Sequence, residues 1–271
     1  MKHRAIESGR ALTRREALAA LGVGGSALAV GRSVLGADGH PAPATPKSGI
    51  VRALPSCVVR PEQTEGPFFL DSQLDRSDIR SDPATGAVSE GIPLTLTLNV
   101  SQVSGGACTG LAGALIDVWQ CDADGVYSGF EDGGDAQSRK FLRGYQRTDA
   151  GGLVRFDTIY PGWYRGRAVH IHFKVRTDVA GQPYEFTSQI YFDDALNDHV
   201  HRLGPYAARG ARGTPNGDDG IFRDGGQSLM AQVSEAGAGY AATFDVGLDL
   251  TDAAAGAPDS GRRRRRRRRR T

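Results

Sequence analysis

The sequence predicts an all-β fold, an antiparallel sandwich with long loops and a short helix. Three observations carry this. Short stretches alternate apolar and polar residues with a period of two. Glycine is abundant, at 37 of 271 residues, and with Asp and Asn it punctuates those stretches as turns. Only one segment has a helical pattern.

Taken in order, the strands are expected at 92–100 (IPLTLTLNV), 113–122 (GALIDVWQCD), 152–160 (GLVRFDTIY), 168–176 (AVHIHFKVR), 186–192 (FTSQIYF) and 242–250 (ATFDVGLDL). The helix is expected over 193–203 (DDALNDHVHRL). Strands this short and this numerous suit a sandwich or barrel. They place one ordered domain at 51–252.

The two ends differ from the middle. Thr13–Val30 has a twin arginine, Arg14-Arg15, before a short apolar run rich in small residues. A basic start, a short apolar core and a small-residue tail predict an export signal, which resembles a twin-arginine signal, over 1–37. The run is too short and Gly-rich for a spanning helix. Residues 38–50 read as a linker. At the other end, 262–270 are nine consecutive arginines, which repel one another and predict a disordered tail at 253–271. Between the ends, 51–258 hold 17 Lys and Arg against 27 Asp and Glu, about −10, so the overall +2 conceals an acidic domain. Nothing in that domain reads as a nucleic-acid face.

Of three cysteines, Cys108 and Cys121 flank one connection between strands and are expected to pair in an exported protein, leaving Cys57 as the odd thiol.

Chemistry concentrates at PGWYRGRAVHIHFKV, 161–175. On a strand, Val169, Ile171, Phe173 and Val175 face one way and His170, His172 and Lys174 the other. Two imidazoles on one face can converge on one ion. Nearby turns offer Tyr127, Tyr160 and Tyr164. A phenol, with its ordinary pKa near 10, becomes a ligand only for a strongly Lewis-acidic ion, which favours ferric iron over zinc. Tyr145 and Tyr160 are further candidate ligands, although Tyr160 sits where a core aromatic is usual. His199 and His201 form a second His-x-His, but on a helix i and i+2 diverge, so these read as surface residues. Trp119 and Trp163 read as core or pocket wall, and Arg165 as solvated.

The segments PEQTEGPFFLD (61–71), GALIDVWQCDADGVYSGF (113–130), LRGYQRTDAGGLVRFDTIYPGWYRGRAVHIHFKV (142–175) and SQIYFDD (188–194) together resemble the intradiol ring-cleavage dioxygenases, the family of catechol 1,2-dioxygenase and protocatechuate 3,4-dioxygenase. The likeness covers most of 57–222 and is greatest to the secreted, single-domain branch. It implies a non-haem Fe(III) centre with Tyr127, Tyr164, His170 and His172 as metal ligands. It further implies Arg167 and Gln189 as catalytic residues beside Tyr164, with Tyr164 displaced as substrate binds. The implied reaction cleaves a catechol with O2 to a cis,cis-muconate. The Tyr164–His170 interval is shorter than in the cytoplasmic enzymes, which leaves the aromatic substrate open.

The implied partners are a small catechol, O2 and the twin-arginine export machinery, with room for a homodimer and none for nucleic acid. The implied location is secreted or at the cell envelope. Two other readings compete. A cupin-like 2-His-1-carboxylate oxygenase needs an acid after HIH, and the nearest is Asp178. A non-catalytic β-sandwich that binds polymer leaves HIH, Arg167 and Gln189 unexplained.

Overall fold

The computed structural model describes residues 59–252. The expected signal, linker and arginine tail, together with Cys57, lie outside the described residues.

Among the described residues nine strands form two sheets; the alternation predicts six of them, and β2, β4 and β8 are additional. The first sheet holds β1 (Pro93–Ser104), β2 (Ala107–Gly110), β5 (Leu153–Ile159), β8 (Gln232–Ala236) and β9 (Gly239–Leu248). The second holds β3 (Leu115–Trp119), β4 (Arg143–Arg147), β6 (His170–Val179) and β7 (Gln182–Tyr191), in the order β4-β3-β6-β7. One edge of β1 pairs first with β5, over 93–99, and then with β2, over 101–104. Its other edge pairs with β9, in parallel. That ladder departs from the expected antiparallel pattern, since every other named strand pair is antiparallel. The expected helix is α1 (Asp194–Val200), where Asp193 caps the N-terminus by accepting from Ala195 and Leu196 N–H.

The inward faces of the two sheets make the core. Leu94, Leu96, Leu98 and Val100 of β1 are buried, as are Ile171, Phe173 and Val175 of β6. Phe173 meets Phe244 of β9 edge-on, with ring centroids 5.6 Å apart, so the sheets touch through aromatic as well as aliphatic contact. Burying each such side chain stabilises the fold by about 1.5–3 kcal/mol.

The opposite face of β6 is polar yet buried at His170, His172 and Lys174, which would be costly without partners. The segment before β1 lies across it. Gln63 N–H donates to Thr187 O at 3.0 Å, Lys174 Nζ pairs with Glu65, and Arg176 reaches Asp71 at 3.2 Å. This strap brings Thr64, Phe68 and Phe69 over the two histidines' side of the sheet.

The expected Cys108–Cys121 bond is not made. Cys108 lies on β2 of the first sheet and is disulfide-bonded, whereas Cys121 follows β3 of the second and is a free, buried thiol. Cys121 Sγ faces Gly162 O at 3.5 Å, and burial pushes its pKa up. The two cysteines are neighbours along the chain but belong to opposite layers.

Candidate metal centre

Two turns that lock back to back create the centre. In the first, Asp122 Oδ1 accepts from Asp124 and Val126 N–H at 3.0 and 2.9 Å, which bends the chain so that Tyr127 follows it inward. In the second, Gly162 N–H donates to Asp122 O at 3.1 Å. The approach is close enough that a Cβ on Gly162 would lie 2.2 Å from that oxygen. Gly125 has φ +76° and equally little room, 2.2 Å to Trp163 O. Arg209 clamps both turns, donating to Asp124 O and, at 2.7 Å, to Trp163 O, with its guanidinium over the Trp163 ring. Tyr127 and Tyr164 are thereby brought together, their rings meeting edge-on at 5.6 Å.

The sheet supplies the other half. In register, His170 faces Tyr191 of β7, and His172 lies between Gln189 of β7 and Trp119 of β3. His170 Nδ1–H donates to Ala168 O at 2.6 Å, leaving the Nε2 lone pair turned into the site. That Nε2 lies 3.1 Å from His172 Nε2 and 3.2 Å from Tyr164 Oη. The four residues expected as ligands are therefore brought into one buried cluster. Tyr127 Oη and His172 Nδ1 are buried without a hydrogen-bond partner among the described residues. Phe68 stacks on Tyr127 at 4.2 Å, and Trp119 stacks on His172 at 4.9 Å.

Burial sets the charge state of this cluster. It holds His170 down to about 3, with Arg167 adding to the effect, and holds His172 well below the usual imidazole range. It pushes Tyr164 up to about 12 and Tyr127 well above the usual phenol range, the second phenol opposing ionisation of Tyr127. By itself the site is two neutral imidazoles and two neutral phenols. The donor set fits a metal. Two nitrogens 3.1 Å apart can share an ion about 2.1 Å from each. An orphaned phenol gains a partner, and a highly charged cation reverses the unfavourable ionisation of the phenols.

Arg167 edges the cluster with every arm occupied. Nε–H donates to Asp219 Oδ2 at 2.9 Å. Nη1 faces Tyr164 Oη at 3.4 Å, and Nη2 donates to Gln189 Oε1. Gln189 is held in turn by its Nε2–H donating to Thr64 O at 3.0 Å. Tyr191 Oη lies 2.8 Å from Gln63 Oε1 and 3.0 Å from Gln189 Oε1, so its one proton serves either. Burial works to lower the Arg167 pKa, and Tyr164 and Asp219 outweigh it and raise it.

The remaining candidates fall elsewhere. Tyr160 is core, its hydroxyl donating to Asn197 Oδ1 at 2.7 Å, and Tyr145 is half-buried on β4. His199 is exposed, but His201 is buried, contrary to the surface role expected for it. His201, the C-cap of α1, keeps helical geometry and so lies one turn after buried Asn197 on the same inward face, 3.1 Å from Pro161 O and beside the Tyr160 and Tyr206 rings. Arg165 is exposed. Asp178 is at the far end of β6, where its carboxylate accepts from Gly181 N–H. No group of three His, Cys, Asp or Glu that could hold a metal occurs among the described residues, which weighs against the 2-His-1-carboxylate reading. Sequence reasoning missed Asp219, whose sole local signal is its position before the short helix α2 (Gly220–Arg223).

Comparison with known proteins places this geometry in context. A dioxygenase family model, Dioxygenase_C, matches residues 64–202. The intradiol ring-cleavage dioxygenase from Tetranychus urticae is similar in structure, with a TM-score of 0.62 and 30% identity over 72% of this chain and 96% of that one. The dioxygenase domain of a carbohydrate-binding fusion protein from Streptomyces sp. SirexAA-E has a TM-score of 0.52 and 29% identity, covering 72% of this chain and all of that domain. Chlorocatechol 1,2-dioxygenase of Pseudomonas putida is 34% identical over 116 residues, 35% of this chain, and the match spans only 42% of that enzyme's length. With the family model covering about half of the sequence and a solved relative matched over nearly its whole length, the chain belongs to the intradiol ring-cleavage dioxygenase family.

Proposed function

We propose that the protein is a non-haem Fe(III) dioxygenase that cleaves a catechol between its two hydroxylated carbons, using O2, to a cis,cis-muconate. The observation that carries this is the convergence of His170, His172, Tyr127 and Tyr164 beside Arg167. Bound there, ferric iron would supply the Lewis acidity that makes phenols into ligands and opens the catechol ring to O2.

The chain's own residues do the rest. His170 and His172 hold the metal through Nε2, and the Ala168 carbonyl fixes the His170 tautomer. Tyr127, enclosed by Phe68 and fully buried, is the anchoring phenol. Tyr164 is less buried and touches Arg167, so it is the phenol that can leave and take a substrate proton on Oη. Arg167 Nη1 then faces the vacated position and stabilises negative charge that develops on the substrate. Gln189 holds Nη2. The Arg14-Arg15 pattern supports export in folded form and a site of action outside the cytoplasm or at the cell envelope.

The test is oxygen uptake by iron-loaded protein over a panel of catechol, protocatechuate, hydroxyquinol and larger diols, with metal analysis and a visible spectrum. Expected are one iron per chain, a burgundy colour from tyrosinate-to-iron charge transfer, and muconate products. A colourless, active, zinc-containing preparation overturns the proposal.

A further inference from the structure

We infer that Asp219 is a positioning residue for the reaction, the group that aims Arg167 at the substrate. The inference rests on the function proposed above. Asp219 is buried, at 1% exposure, and lies on a loop 52 residues from Arg167 in the chain. Its Oδ2 accepts twice, from Arg167 Nε–H and from Ala168 N–H, both at 2.9 Å. Its Oδ1 accepts from Ile221 N–H at 2.7 Å, which ties the carboxylate to α2.

The consequence is geometric. A guanidinium is a planar fork, so fixing Nε–H in the plane fixes where Nη1 and Nη2 point. With Nε on Asp219 and Nη2 on Gln189, Nη1 can face only Tyr164 Oη and His170 Nε2, at 3.4 and 3.5 Å. Gln189 alone cannot do this, because one contact leaves the plane free to turn. Asp219 also holds Ala168, whose carbonyl fixes His170, so one carboxylate places both the arginine and the backbone that sets a ligand's tautomer. It further balances a buried cation that otherwise meets only neutral groups.

The test uses two variants. Asp219→Asn removes the charge, and Asp219→Ser removes the carboxylate but keeps an oxygen able to cap α2, so it serves if the first does not fold. With iron bound and colour retained, kcat on the best catechol is expected to fall about 10- to 100-fold, within the loss seen when a donor to a developing anion is misplaced, with KM changed less than about threefold. The double variant with Arg167→Ala is expected to lose much less than the product of the two single losses, since Asp219 acts mainly through Arg167. By NMR, with gallium(III) replacing any iron, the Arg167 Nε–H signal is expected to exchange with water at least about tenfold faster in Asp219→Ser.

Multiplicative losses in the double variant would give Asp219 a merely structural role and overturn the inference, as would an unchanged Nε–H signal. Wild-type turnover in both single variants overturns it too. A wild-type protein that oxidises no catechol overturns the function proposed above, and this inference with it. An active wild type with unaffected variants overturns the inference alone.

Discussion

The Trp119 indole stacks on the His172 imidazole, the two ring planes 6° from parallel and their centroids 4.9 Å apart. His170 is oriented by a hydrogen bond to Ala168 O, but His172 Nδ1 has no such partner among the described residues. Stacking therefore does for one histidine what hydrogen bonding does for the other. Trp119→Leu is expected to lower iron affinity by about 10-fold, the low end for losing a group that orients a ligand. Chelator competition measures it. Unchanged affinity would mean that the strand alone orients His172.

Tyr127→Phe separates metal binding from folding. The hydroxyl is buried and makes no hydrogen bond among the described residues, so the metal-free protein should lose nothing when it is removed. Thermal melts of that form are expected to be equal or higher, by up to about 1 kcal/mol. The iron-loaded form should lose most of its colour and activity. Opposite signs in the two states identify Tyr127 as a ligand; a destabilised metal-free variant would argue for a structural hydroxyl.

The cysteines give a direct chemical check. Peptide mapping without reduction is expected to find Cys121 as a free thiol, unreactive until the protein is denatured, and Cys108 in a disulfide. A peptide joining Cys108 to Cys121 would falsify the arrangement of the two layers.

Acid should destabilise the metal-free protein through its histidines. His170 is held down to about 3 and His172 lower than its usual range, chiefly by burial. Below about pH 6.5 the unfolded chain takes up protons at both residues and the folded chain does not. Stability therefore rises with pH through that window and falls as pH drops from about 6.5 towards 3. Asp117, pushed up to about 6 by burial, opposes this in the folded state between about pH 4 and 6. Denaturant melts from pH 7 to 5 are expected to show a falling midpoint that flattens in His170→Gln. A pH-independent wild-type midpoint would contradict the buried neutral imidazoles.

The sandwich was legible because its central strands bury one face and alternate, as Leu94, Leu96 and Leu98 do on β1. Strands β2, β4 and β8 were not, because ACTG, RGYQR and QVSEA carry no buried alternating face of their own and are strands by virtue of the neighbour they pair with. Alternation on a strand singles out His170 and His172, whereas Tyr127, Tyr164, Arg167 and Gln189 were named through the resemblance to the family; the fold brings all six side by side. Asp219 was not named, since its contact with Arg167 crosses between a loop and a turn, and no spacing encodes it. The cysteines were misassigned for a related reason: closeness in sequence cannot tell which layer of a sandwich a residue enters.

The parallel ladder between β1 and β9 bears on how the chain is made. Asn99 Nδ2 donates to Asp245 Oδ1 across that ladder, 146 residues away. A ribosome adding about 5–20 residues per second finishes β1 several seconds or more before β9 exists. Until then the edge of β1 from Leu94 to Gln102 is unpaired, in the strand that anchors the first sheet. The nascent chain must carry that open edge through about half of its synthesis, and cannot close the sheet from the N-terminal side alone. A chaperone that shields extended apolar segments, or slow collapse of β3, β4, β6 and β7 first, would protect it, and a ribosome-stalled chain ending before Gly239 is the form in which aggregation should be worst.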